Sequence, residues 1–268
     1  MRVLLTGAAG FIGSRISSAL TARGHEVIAV DAMLPAAHQE GSAPPEGCTL
    51  VDIRDGDALA ALLPGVDVVC HQAAVVGAGV NALDAPSYAL HNDAGTATLL
   101  AEMYRTGVQR LVLASSMVVY GQGAYTCATH GAVDPAPRTR TDLDAGRFEH
   151  RCPIGSEELS WQLVGEDAPL RPRSLYAASK VAQEHYALAW ADVSTGQTAV
   201  LDIAADAITD ELARLEPAEL LVSDLTLDAL REMGAVGLRR VSLLNLAEHI
   251  IRLWGPPPKP RKPAVPPH

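Results

Sequence analysis

A tyrosine and a lysine stand four residues apart in "SLYAASK", at Tyr176 and Lys180. On a helix, positions i and i+4 share one face, so this phenol and this ammonium would point the same way. A positive charge beside a phenol favours the phenolate and draws its pKa down from about 10. A phenol titrating nearer neutrality can take up and return a proton. The bare pair fits an ordinary helix surface equally well, because short motifs recur by chance. The surrounding elements have to decide.

A second group of residues is built for an anion. "TGAAGFIG" spaces Gly7, Gly10 and Gly13 as G-x-x-G-x-x-G, directly after a strand-like run and at the start of a helical stripe. Gly7 allows a tight turn, Gly10 lets the backbone approach a pyrophosphate at the helix N-terminus, and Gly13 permits close helix–sheet packing. Asp31 ends the second apolar run. A carboxylate there can accept hydrogen bonds from ribose hydroxyls and would repel a 2′-phosphate, which favours NAD over NADP. It also suits a cap at a strand end. Asp52 and Ile53 close the third run and could meet an adenine through its amino group and its face; Asp52 suits a cap nearly as well.

A third group has metal-ligand chemistry. "CATH" holds Cys127 and His130, and "HRCPIG" holds His150 and Cys152. Two thiols and two imidazoles in one connection could hold a tetrahedral zinc, with Cys127, His130 and Cys152 the first candidates and His150 an optional fourth. A metal-free loop is the alternative.

The elements that must position these groups alternate from the first residue. "RVLLTG", "HEVIAVD", "CTLVDI", "VDVVCHQAA", "QRLVLASS" and "TAVLDI" read as strands. "FIGSRISSALTARG", "DGDALAALLPG", "HNDAGTATLLAEMYRTG" and "SLYAASKVAQEHYALAWA" read as helices, the second opened by an acidic cap. Repeated strand–helix–strand order predicts an α/β fold with a Rossmann-like, doubly wound parallel sheet and right-handed crossovers. Residues 121–174 interrupt the rhythm with a long connection rich in Gly, Pro and charge, which is expected to be functional or separately structured. Domain boundaries are set at 1–203 for the cofactor domain, 204–254 for a short α/β substrate-side region, and 255–268 for a disordered Pro-rich tail. Within 204–254, "AELLVSD" and "LRRVSLLN" read as strands.

Composition bounds the function. The 268-residue chain is 48% hydrophobic, enough for a substantial core, and Ala, Val and Leu outnumber aromatics, as a covered parallel sheet requires. Its net charge of −10 argues against a nucleic-acid or anionic-membrane surface, while leaving room for a local phosphate site made of backbone amides. No apolar stretch is long enough to span a membrane, and nothing reads as a signal peptide. Four cysteines without a close C-x-x-C pair suit a reduced, cytoplasmic protein.

Taken in order, "TGAAGFIG", "DI" at 52–53, "HQAA" at 71–74, "HNDAGT" at 91–96, "LASSMVVYG" at 113–121 and "YAASK" at 176–180 resemble the extended short-chain dehydrogenase/reductases, in particular the NAD-dependent sugar-nucleotide epimerase/dehydratase group. The resemblance covers residues 1 to about 203. It implies that Tyr176 is the acid/base, that Lys180 binds the nicotinamide ribose and lowers the Tyr176 pKa, and that Ser116 hydrogen-bonds the reacting hydroxyl. Tyr176 and Lys180 thus also count as cofactor contacts. It places Phe11 and Ile12, between the glycines, on the cofactor, with Ala73 and Ala74 along the pyrophosphate and nicotinamide and Asn92 near the cofactor below the fifth strand. Some bacterial members of the group resemble the 121–174 insertion too, with C-x-x-H followed by C-P-x-C-G; here Gly155 stands near the place of the last Cys.

Hydride transfer from a sugar hydroxyl carbon to NAD, through a 4-keto sugar, is the implied chemistry. Family members that dehydrate hexoses carry an Asp-Glu pair after the strand-5 Ser or Thr. Here Met117 and Val118 follow Ser116, and neither can act as acid or base, so epimerisation of a UDP- or dTDP-hexose is expected. The sixth strand should lead into R-x-x-N-V-Y-G-P, but "AVLDIAADAITDEL" follows instead. An NAD-binding protein with weak or no catalysis is therefore the alternative. A nucleotide sugar is the expected partner, with no nucleic acid or membrane, and a homodimer is open.

Overall fold

The computed structural model describes residues 1–201 apart from 36, 40, 78–80, 166–167 and 195–196. The expected strands "AELLVSD" and "LRRVSLLN", the 204–254 region and the 255–268 tail lie outside the described residues.

Six parallel strands form the main sheet: β1 (Arg2–Thr6), β2 (Glu26–Asp31), β3 (Cys48–Leu50), β4 (Val68–His71), β5 (Arg110–Ala114) and, last along the chain, β9 (Gln197–Leu201). Their order is β3-β2-β1-β4-β5-β9. This is the doubly wound Rossmann order, which reverses beside β1 and opens a crevice at the strands' carboxyl ends. The register joins Thr6 to Val30 on one side and to His71 on the other, so the chemistry-bearing ends of β1, β2 and β4 lie level.

Both faces of the sheet are apolar, which is why its strands read as nearly continuous hydrophobic runs. Leu4, Val69, Leu111 and Leu113 face one layer and pack with Leu59 of α2 (Gly56–Leu62) and its C-cap Leu63, with Leu99 and Met103 of α4 (Gly95–Thr106), and with Ala187 and Trp190 of α6 (Leu175–Ser194). Val3, Leu5, Val68, Cys70 and Val112 face the other and pack on Ile16, Ala19 and Leu20 of α1 (Phe11–Ala22). Alternate residues along a strand point to opposite faces, so one short strand serves both layers.

Local chemistry sets the helix ends. Asp55 caps α2 by accepting from the Ala58 amide at 3.0 Å, as the acidic start of that stretch predicts. Gly107 closes α4 in the left-handed region at φ 78°. Helical structure begins earlier than predicted before α4. A 3-10 turn at Ala82–Asp84, the short α3 (Ala85–Tyr88) and a π segment at Ala89–Ala94 run directly into it. The extra residue of a π turn shifts the side-chain stripe, so the 3.6-residue period is legible only from about residue 91 onward.

The connection between β5 and α6 has its own sheet. β6 (Ala124–Cys127), β7 (Gly131–Val133) and β8 (Ser160–Gln162) pair antiparallel in the order β7-β6-β8, with α5 (Arg140–Asp144) between β7 and β8. Its small core comprises Cys127, Cys152 and Leu159, backed by Tyr125 and Val133.

Candidate active site

The glycine turn joins β1 to α1 and is held on three sides. Ala8 donates to the Val30 carbonyl, Ala9 donates to the Asp31 carboxylate at 3.0 Å, and Gln72 and Ala73 donate to Thr6 Oγ1 at 3.2 Å each. Gly7 adopts φ +69°, and a Cβ there would lie 2.7 Å from the Ala73 nitrogen. A Cβ on Gly13 would lie 2.0 Å from the Gly7 carbonyl oxygen, so both positions exclude a side chain. Gly10 is the N-cap of α1 and supplies no side-chain cap. The first amides of the helix, at Phe11 and Ile12, therefore have no side-chain cap. Phe11 itself is exposed, with the Arg15 guanidinium 3.7 Å above its ring.

Asp31 is buried at the end of β2 and also accepts from the Met33 amide at 2.8 Å, with His38 Nε2 3.3 Å away. Asp52 is partly exposed. Arg54 grips it in a fork, with Nη2 2.6 Å from one oxygen and Nε 3.0 Å from the other, and this hydrogen bonding holds the carboxyl below its ordinary range. Ile53 is buried against the helix start, where a Cβ on Gly95 would meet its Cδ1 at 2.7 Å.

At the end of β5 two consecutive serines diverge. Ser115 is buried and donates to Glu184 on α6. Ser116 hydrogen-bonds the Tyr176 phenol. Lys180, one turn on from Tyr176, places Nζ 5.9 Å from the Tyr176 ring centre and donates to the Ala114 carbonyl at 3.0 Å. The electrostatics differ from the sequence expectation. Burial raises the Tyr176 phenol above its usual value, the Ser116 hydrogen bond opposes this, and Tyr88 adds to the rise. Burial pushes the Lys180 ammonium down to about 8, with Glu184 acting the other way.

Asn92 lies in the π segment and is fully buried. Its Oδ1 accepts from the Val75 amide at 2.7 Å, and its Nδ2 donates to the Val75 carbonyl and to Ser179 Oγ, each at 2.9 Å. Asn92 thus ties the loop after β4, which carries Ala73 and Ala74, to the helix that carries Tyr176. Three further groups escaped sequence reasoning. His71 is buried between Thr6 Oγ1 at 2.7 Å and Thr96 Oγ1 at 2.9 Å, and burial, then Lys180, lowers its pKa to about 3. Glu184 is one turn beyond Lys180 and carries the Ser115 contact. Tyr88 packs on Tyr176 with ring centres 6.2 Å apart. The i+4 spacing from Lys180 was a usable signal for Glu184; Tyr88 had none, because the π segment hides its helix.

In the insertion, Cys127 Sγ and Cys152 Sγ each lie 3.3 Å from His130 Nδ1. Glu157 joins these three, all four donor atoms lying within 4.8 Å of one another. His150 is not among them. It packs edge-on against Tyr125 at 4.8 Å and hydrogen-bonds the Ala136 carbonyl, and desolvation lowers its pKa. Among the described residues, no helix is long and apolar enough to cross a membrane.

The sequence model of the NAD dependent epimerase/dehydratase family matches residues 3–141. A dTDP-L-rhamnose 4-epimerase of Burkholderia thailandensis is 35% identical over 198 residues, 70% of this chain and 53% of its own length. A UDP-glucose 4-epimerase of Streptomyces lividans is 30% identical, over 69% of this chain and 46% of its own. The chain therefore spans about half the length of these curated relatives. The Thermus thermophilus UDP-glucose 4-epimerase solved with NAD superimposes with a TM-score of 0.53 at 31% identity, over 75% of this chain and 54% of that one. A dTDP-glucose 4,6-dehydratase of Streptomyces venezuelae solved with NAD gives 0.54 at 28% identity, over 75% and 55%. A second sequence model, that of MutS domain II, matches residues 173–247. This stretch starts at α6 and includes the segment where R-x-x-N-V-Y-G-P was expected.

Proposed function

The chain belongs to the NAD-dependent epimerase/dehydratase family, and from that premise we propose that it binds NAD and epimerises a nucleotide sugar, such as a UDP- or dTDP-hexose, through a 4-keto intermediate. The carrying observation is the Ser116–Tyr176 hydrogen bond at the end of β5, at the same edge of the sheet as the glycine turn.

The residues fit the cofactor. An uncapped helix N-terminus, two glycines with no room for a Cβ, and a buried carboxylate touching the turn suit a pyrophosphate and its ribose. Phe11, Ile12 and Gly13 would hold the phosphates and Asp31 the ribose hydroxyls. Asp52 would reach adenine only by leaving Arg54, so Ile53 is the better adenine contact of the two. NAD, when bound, supplies the acceptor for a hydride from the sugar carbon. The protein's part is proton handling. Tyr176, once ionised, takes the hydroxyl proton as the carbon–hydrogen bond breaks, and Ser116 holds the same oxygen. Return of that proton by Tyr176, with the hydride arriving on the other face of the sugar, completes inversion. Lys180 sits where its charge supports the phenolate after it leaves the Ala114 carbonyl. Met117 and Val118 provide no acid or base for elimination of water, which supports epimerisation over dehydration.

Tyr176→Phe removes a proton-transfer group and little binding surface. Turnover is expected to fall by at least the ~10²–10⁴-fold typical of general acid–base catalysis, with NAD affinity nearly unchanged by calorimetry. Near-parental turnover in that variant would refute the role.

The absence of R-x-x-N-V-Y-G-P after the sixth strand, where "AVLDIAADAITDEL" stands, supports a second reading, an NAD-binding protein with weak or no catalysis. An Arg fork grips phosphate in two places, and the Asp and Ala of "DIAADAIT" cannot. Titration of UDP- and dTDP-hexoses into the NAD complex separates the readings. Micromolar affinity supports the epimerase; NAD binding without sugar-nucleotide binding supports the second.

A further inference from the structure

The insertion holds a cluster that the proposed reaction does not use. Cys127 ends β6, His130 lies in the tight connection to β7, and Cys152 and Glu157 flank a turn that precedes β8. That turn is closed by the Cys152 amide donating to the Glu157 carbonyl at 2.7 Å and the Ser156 amide donating to the Cys152 carbonyl at 2.9 Å. The amides of Gly155 and Ile154 also hydrogen-bond the Cys152 sulfur.

Tetrahedral zinc with bonds of about 2.0–2.3 Å separates its donors by roughly 3.3–3.8 Å. Both sulfur-to-imidazole distances here, 3.3 Å, are already at that spacing. The remaining separations, within 4.8 Å, close to it by side-chain rotation. A second observation concerns Glu157. Its Oε2 is buried and has no hydrogen-bond partner, while the carboxylate is otherwise hydrogen-bonded by Thr129 and by Cys127 of the cluster. A Cβ built on residue 155 would lie 2.1 Å from that same oxygen. The carboxylate therefore folds over Gly155 into the volume that a side chain at 155 would fill.

We propose that Cys127, His130, Cys152 and Glu157 bind one zinc-class divalent ion, with Glu157 supplying the fourth ligand. Two thiolates and an imidazole select zinc over magnesium or calcium, whose ligands are oxygens. Four protein ligands leave no open position, so the site is structural. It staples β6, the β6–β7 connection and the strand-to-β8 turn around a core too small to fix them by burial. The site is independent of the reaction at Tyr176.

Elemental analysis of protein expressed with zinc and purified without chelator is expected to find one zinc per chain. Cobalt substitution is expected to give thiolate charge-transfer absorption and intense tetrahedral bands. Cys127→Ser is expected to lose the metal, and Glu157→Gln to weaken zinc at least ~10-fold, the scale on which even groups outside the ligand shell act. Glu157→Cys is expected to retain it. The main thermal transition of each variant reports whether the rest of the chain has folded. Zinc below stoichiometry in the parent protein, or a Cys127–Cys152 disulfide in its place, would overturn the site. Glu157→Gln binding zinc as tightly as the parent would overturn the role of Glu157.

Discussion

The main sheet and the insertion between β5 and α6 hold their functional side chains by different means. In the main sheet, apolar layers cover both faces, and the polar groups sit on the carboxyl edge where backbone amides and buried neighbours fix them. In the insertion, three short strands share a core of Cys127, Cys152 and Leu159, with Tyr125 and Val133 partly covering it. A core of that size fixes little by itself, and the cluster straddles its edge: Cys127 and Cys152 are buried in it, while His130 is exposed. Position in the first region comes from packing, whereas in the second it is proposed to come from coordination.

Truncating the core tests this contrast most strongly. Leu111 is fully buried in the middle of the sheet, and Leu111→Ala is expected to cost about 2–5 kcal/mol in denaturant unfolding. Leu159→Ala, at a site nearly as buried, is expected to move the same transition by less than about 1 kcal/mol if the insertion opens as a separate local unit. Equal losses would show that the two regions unfold as one unit.

Acid separates the regions next. His71 is held neutral, its pKa lowered from 6.5 to about 3, so the unfolded chain binds more protons between those values. Its contribution is complete above pH 6.5 and is lost as pH falls toward 3, at up to about 1.4 kcal/mol per pH unit. His71→Gln is expected to flatten that slope in pH-dependent unfolding curves. An unchanged slope would mean that another group controls the acid limb.

Surface terms come last. Asp55→Ala removes the α2 cap and is expected to cost about 1 kcal/mol. The Arg140–Asp144 pair on α5 is exposed, and Arg140→Ala is expected to change stability by less than about 0.5 kcal/mol. A larger effect at Arg140 than at Asp55 would reverse the ranking of packing over surface charge.

The sequence by itself determined the central strands β1, β4 and β5, because they are buried on both faces and run almost wholly apolar. It determined the glycine turn, since Gly7 and Gly13 stand where no side chain fits, and it showed the cap at Asp55 through its short polar side chain. Tyr176 and Lys180 were singled out by type and spacing, and Ser116 by resemblance to the family. Their protonation was not legible, because burial at α6 and the approach of Tyr88 arise only when the chain folds. Only the tertiary structure brought Asn92 to Ser179 and turned Asp52 onto Arg54. Only it replaced His150 with Glu157 in the four-donor cluster. Spacing along a chain records which side chains share a helix face or a turn. It does not record which carboxylate bends back over a glycine, because that depends on the volume the folded neighbours leave open.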